Sequence, residues 1–167
     1  MEKFQELREQ ARSKIRIADH LITQTYPMLQ DPKLLLSAVE SLFLAMSFSM
    51  GSLLHYELLF KRIPPFQDTF PSKYNMFQLR CSKRYNFDLA YSNLMQELKG
   101  IILQHKKSPV EFVRKDQLVI CNEDYTMRTL SVEQLKRYVH KAKVFIEQIE
   151  GIVSKNETIF GRSKARA

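Results

Sequence analysis

Apolar residues recur every three or four positions from Phe4 onward. Phe4, Leu7, Ala11, Ile15, Ala18 and then Leu21 or Ile22 form one stripe, and this spacing predicts a first helix from about Glu2 to Thr25. Pro27 is expected to end it, because proline disfavours helical geometry in the residue before it. Asp31-Pro32 then opens a second helix, as an N-cap followed by proline in the first turn. Nothing breaks the run before Pro64, so Pro32 to Lys61 would reach about 45 Å.

Inside helix 2 the pattern changes. Leu34 to Leu54 carries a single charge, Glu40, over a length that suits a membrane span. Ser37, Ser41, Ser47, Ser49 and Ser52 lower its hydrophobicity, and Glu40 is costly in lipid. A helix apolar all round, with amphipathic neighbours ready to cover it, reads as the centre of a soluble bundle with no membrane partner. Ala38, Ser41, Ala45, Ser49 and Ser52 align on one side at three or four, a stripe that admits another helix closely. Helix 1 or helix 4 of the same chain is the expected neighbour, and a second copy of helix 2, giving a homodimer, is the alternative.

Residues 62–71, RIPPFQDTFP, read as a stiff loop pinned by Phe66 and Phe70, and helix 3 follows from about Ser72 to Arg84. Asp88 caps a fourth helix, whose stripe is Leu89, Tyr91, Leu94, Met95, Leu98, Ile101 and Ile102 and which ends near His105 or Lys106. Ser131-Val-Glu-Gln134 is a capping box for a fifth helix running to about Val153, with Leu135, Val139, Ala142, Phe145 or Ile146 and Ile149 inward.

Between helices 4 and 5 two local signals conflict. Ser108-Pro109-Val110-Glu111 is a helix start, yet VEFV and QLVIC are β-rich and flank a turn at Arg114-Lys115-Asp116. Tyr125 to Leu130 offers a third strand. The favoured reading is a small antiparallel ribbon that rests on the bundle through Phe112, Leu118 and Ile120, since so few strands are not stable alone. The expected fold is therefore mainly α: a five-helix bundle with a small antiparallel β-ribbon between helices 4 and 5. Residues 1–153 form one domain and 154–167 a basic, flexible tail.

Length and composition agree with one globular domain: 167 residues, 44% hydrophobic and 26% charged. Cys81 and Cys121 stand forty positions apart with no metal-ligand spacing, and the N-terminus is charged, so a cytoplasmic protein with reduced thiols and neither metal nor cofactor is expected. Phosphate-loop, HExxH and GxSxG motifs are absent. His20, His55 and His105 lie on or beside apolar stripes and read as packing histidines. Arg137 and His140 fall three apart on helix 5, a spacing that can hold a phosphate but also suits an ordinary solvated face.

The net charge of +8 favours anionic partners. Lys73, Arg80, Lys83 and Arg84 cluster on helix 3, with no acid between Asp68 and Asp88 and with Tyr74, Phe77 and Tyr85 interleaved. Lys106, Lys107, Arg114 and Lys115 form a second cluster in the connection, and Lys155, Arg162, Lys164 and Arg166 a third in the tail. Clustered cations contact phosphates and exposed aromatics stack on bases. These residues point to RNA or a ribonucleoprotein as partner.

The amphipathic first helix followed by DPKLLLSAVESLFLAMSFSMGSLLHYE resembles the opening of HEPN-type helical bundles. The resemblance implies a four- or five-helix bundle and a homodimer. Many HEPN domains are ribonucleases with an Arg and, after four to six residues, a His. This chain departs from that motif: three residues separate Arg16 from His20, and two separate Arg137 from His140. No catalytic residue carries over. The whole chain also resembles a group of uncharacterised small archaeal proteins through DPKLLL, RIPPF and HKKSPVEF, a resemblance without a function attached. The expected function is a non-catalytic interaction module. A divergent HEPN-like ribonuclease using Arg137 and His140, with Arg114 or His105 nearby, is the alternative.

Overall fold

The computed structural model describes residues 2–108 and 110–155. It is a helical bundle with a three-stranded antiparallel sheet inserted before the last helix. Helix α1 runs Lys3–His20 and continues through a π turn, Leu21–Thr25, and a short stretch, Tyr26–Leu29. Helix α2 is Lys33–Leu59, α3 is Phe70–Met76 prolonged by a π turn at Phe77–Cys81, α4 is Leu89–Lys107 and α5 is Val132–Val153. The tail cations Arg162, Lys164 and Arg166 lie outside the described residues.

Pro27 does not stop α1. The wide turn before it pairs the Tyr26 amide with the carbonyl of Leu21, and Pro27 then sits in a fresh first turn, where its missing N–H has no helical partner to lose. Left-handed Gln30 ends the rod instead. Helix α2 likewise stops before Pro64. Lys61 is left-handed, and Arg62 and Lys61 donate their amides back to Glu57 and Leu58, closing a Schellman end. Helix α3 starts earlier than its pattern suggests, because the Thr69 hydroxyl accepts from Ser72 and Pro71 fits the first turn.

Helix α2 is the centre. By length and composition it could span a membrane, but here α1, α3, α4 and α5 pack around it. The small-residue stripe is covered within the chain. Ala38, Ala45, Ser49 and Ser52 are buried, the Ser52 hydroxyl donates to the Phe4 carbonyl of α1 at 2.7 Å, and a methyl group on Gly51 would touch Leu7. Ser52 of the stripe and neighbouring Gly51 thus face α1, while Ser41 is half-buried.

Strands β1 (Val110–Arg114), β2 (Gln117–Cys121) and β3 (Met127–Ser131) pair in chain order. Residues 110–112 are extended, so the helix-start signal at Ser108 is overridden. Ser108 caps the end of α4 and its hydroxyl donates to the carbonyl of Cys121. The two-residue turn at Lys115-Asp116 pairs Arg114 with Gln117, and that register decides which side chains face the bundle. Leu118, Ile120 and Leu130 are buried against it. Phe112, expected to anchor the ribbon, pairs with Val119 on the opposite face and is 41% exposed. Leu130 takes the anchoring place instead.

Candidate functional site

Strand alternation builds the outer sheet face row by row. Phe112, Val119 and Thr129 form one row, Arg114, Gln117 and Ser131 the next, and Cys121 beside Met127 part of the third. All of these except Cys121, with the turn at Lys115-Asp116 and the start of α5 at Val132-Glu133, enclose an open cleft of about 630 Å³. Its floor is apolar: Val119 is buried beneath exposed Phe112 and Met127. Arg114 and Lys115 stand at one end, and neither forms an ion pair with another described residue. The phenol of Tyr26 donates to the Asp116 carbonyl at 3.4 Å, tying this turn to the end of α1.

The cleft continues. Asp116 and Val132 also line a second hollow with Tyr26 and Gln30, and Lys136 leads from it to a third between α1 and α5. His140 lies in this last hollow with Thr23, Lys136 and Lys143, and Lys143 pairs with Asp19 at 3.0 Å. Arg137 does not line it. His105 is engaged elsewhere, with the Glu111 carboxylate. His105, Arg114 and His140 therefore do not converge. Among the described residues no three His, Cys, Asp or Glu side chains form a group that could hold a metal ion.

The basic clusters on α3 and in the connection do not merge either. They lie toward opposite ends of α4, whose 19 residues span about 28 Å. On α3, Lys73 is drawn onto Asp68 at 2.5 Å, and this pair holds the Asp68 carboxyl below its usual range. Arg80 and Lys83 are exposed. The interleaved aromatics face inward: Phe77 is fully buried, the Tyr74 phenol donates to the Ser92 carbonyl, and Tyr85 lies against Glu57. Helix α3 thus offers cations without exposed rings. Lys106 and Lys107 close α4, where Lys107 shares a shallow depression with Glu123 and Asp124, two acids that offset it. Among the described residues of these clusters, Arg114 and Lys115 stand beside exposed Phe112 in a cleft.

A second polar centre escaped the sequence pattern. The side chain of Glu57, on α2, is 0% exposed and accepts from Arg84 Nη1 at 2.7 Å and from the Tyr85 phenol, with Arg62 Nη1 at 3.6 Å. Glu40, the conspicuous acid of the same helix, is exposed. The π turn in α3 contributes buried Cys81, whose thiol is pushed up to about 12 by burial and then by Glu57. The local trace of this centre is one acid at the end of an apolar run with Arg62 five positions on, since Arg84 and Tyr85 come from 27 and 28 residues away.

Burial, followed by hydrogen bonding to Glu57, raises the Tyr85 phenol to about 12. Burial and Glu97 do the same for Tyr138. A phenol raised above its unfolded value near 10 contributes stability that is complete below that pH and is lost as pH climbs toward 12. On alkaline titration followed by phenolate absorbance, Tyr85 and Tyr138 should still be protonated at about pH 11 in the folded protein. Tyr85→Phe should remove one of the late steps. A titration in which that variant loses an early step would contradict this assignment.

No protein-family model, curated protein or solved structure matches the chain.

Proposed function

We propose that the protein is a non-catalytic module that binds single-stranded RNA across the outer face of its sheet. One observation carries the reading: Phe112 and Met127 lie uncovered in the same cleft as Arg114 and Lys115, two cations without ion-pair partners among the described residues. A base can stack on Phe112 while its phosphates meet Arg114 and Lys115. Thr129, in the same row as Phe112, and Gln117 and Ser131, in the next, supply donors and acceptors for base edges. Unpaired strands fit this arrangement because their bases are free to turn onto a ring, whereas the base faces of a duplex are stacked.

Anisotropy of a labelled single-stranded RNA tests the proposal. Binding should weaken steeply with salt, and Arg114→Ala with Lys115→Ala should lower the slope of log K against log salt by about 1.4, or 0.7 for each phosphate no longer neutralised. Phe112→Ala should weaken binding by about 5- to 150-fold, the equivalent of one stacked base, with little change in stability. Absence of binding at low salt would end the reading. The HEPN-like ribonuclease using Arg137 and His140 draws less support from the geometry, because the two residues do not share a cleft. It would require RNA cleavage that His140→Ala abolishes.

A further inference from the structure

We infer that Arg62 and Arg84, braced from beneath by Glu57, form a phosphate-binding site at the end of the bundle away from the sheet cleft. The inference does not depend on RNA binding at the sheet.

Charge decides first. Arg62 and Arg84 reach one carboxylate, Glu57, and exposed Lys61 and Lys83 adjoin them in the chain. Two helical ends also meet here, that of α2 at Lys61 and that of α3, where Asn86 is left-handed and Phe87 donates its amide back to Ser82. Helix ends contribute about half a negative charge each, so about one positive charge remains after both ends, Glu57 and the neighbouring Asp88 are counted. Holding the fold together does not use this excess.

Preorganisation is the second argument. Both guanidiniums are held, yet each side chain remains 41% exposed. Arg62 lies over the rings of Phe60 and Tyr56 at 5.2 and 5.9 Å, and its Nη1 donates to the Tyr85 phenol at 3.4 Å. Arg84 is fixed through Nη1 on Glu57 Oε2. A guanidinium carries five N–H donors, so each arginine keeps several for a ligand. Two oriented guanidiniums match the oxygens of a phosphate in a way that mobile lysines do not. The buried carboxylate orients both arginines before any ligand arrives.

The shared chemistry is a phosphate group, supplied by an RNA backbone or by a free phosphate compound. Titrating the full chain with inorganic phosphate at constant ionic strength, with chloride as control, should shift the Arg62 and Arg84 Nε–Hε resonances saturably, while exposed Arg137 drifts only slightly. Arg84→Lys, which keeps the charge and loses the fork, should weaken phosphate at least about tenfold. Equal, unsaturated drift of all three arginines in the wild-type protein would overturn the site, and this arm needs no variant to fold. A short single-stranded RNA added to the phosphate-loaded protein separates the sources. Displacement from Arg62 and Arg84 identifies a nucleic-acid backbone. RNA that perturbs Phe112 and leaves the arginines in place identifies a free phosphate compound. If phosphate binds here while RNA binds nowhere, only the sheet reading falls.

Discussion

Exchanging Arg62 and Arg84 together for alanine should cost the protein about 3–5 kcal/mol, because it leaves the fully buried side chain of Glu57 without a cation. The size of the effect follows from an asymmetry. The arginines are part-exposed and water can solvate them if Glu57 is lost, whereas Glu57 has no route to water if they are lost. Glu57→Gln should therefore cost less, since the amide oxygen still accepts from the Tyr85 phenol and two solvated guanidiniums remain beside it. Adding Glu57→Gln to the double arginine variant should restore part of the stability, because a neutral amide is cheaper to bury than an unpaired carboxylate. Urea unfolding of the four proteins measures all three differences. If the double arginine variant loses no more than two ordinary surface substitutions would, about 1 kcal/mol or less, the carboxylate does not rely on these cations.

That centre also marks where sequence patterning stops being informative. Helix stripes are local signals repeated at three and four, and they located α4 and α5, along with the caps Asp88 and Ser131, whose side chains accept from Ala90 and Gln134. The sheet was legible as three β-rich runs. Which way Phe112 faces was not, because side-chain alternation has no sign until the register of a turn fixes it. Once Arg114 pairs with Gln117, Phe112 must lie opposite Val119 and away from Leu118 and Ile120. Leu89 shows the same limit: it begins the α4 stripe but is exposed, since the stripe overshoots its neighbours at the helix end. The basic residues could be counted but not oriented. Lys73 and Arg84 are paired with Asp68 and Glu57, while Arg114 and Lys115 stand at an open cleft. Pairing across 27 positions, as between Arg84 and Glu57, leaves no periodicity to read.

Phe145→Ala should be the most damaging single truncation in the aromatic core, at about 3–5 kcal/mol. Its ring is fully buried on α5 and meets three others, Phe77 at 5.9 Å, Phe87 at 5.6 Å and Tyr91 at 5.3 Å between centroids. Rings fixed by several helices cannot all collapse into the vacated space, so the cavity cost adds to the lost transfer energy. Phe145→Leu should lose less, and Val144→Ala, one position away and 37% exposed, should stay within about 0.5 kcal/mol. The damage should also be directional. Phe77 and Phe87 bracket the end of α3, and the chain between them supplies Cys81, Arg84 and Tyr85. Loosening that corner gives the Tyr85 phenol access to water and weakens its hydrogen bond to Glu57, the two causes of its rise to about 12. Phe145→Ala should thus bring the Tyr85 ionisation to lower pH while Tyr138, held by Glu97 and Gln134, still titrates late. Equal shifts of both phenols would mean that the truncation loosens α5 as a whole, and that the aromatic corner and the Glu57 centre are not mechanically joined.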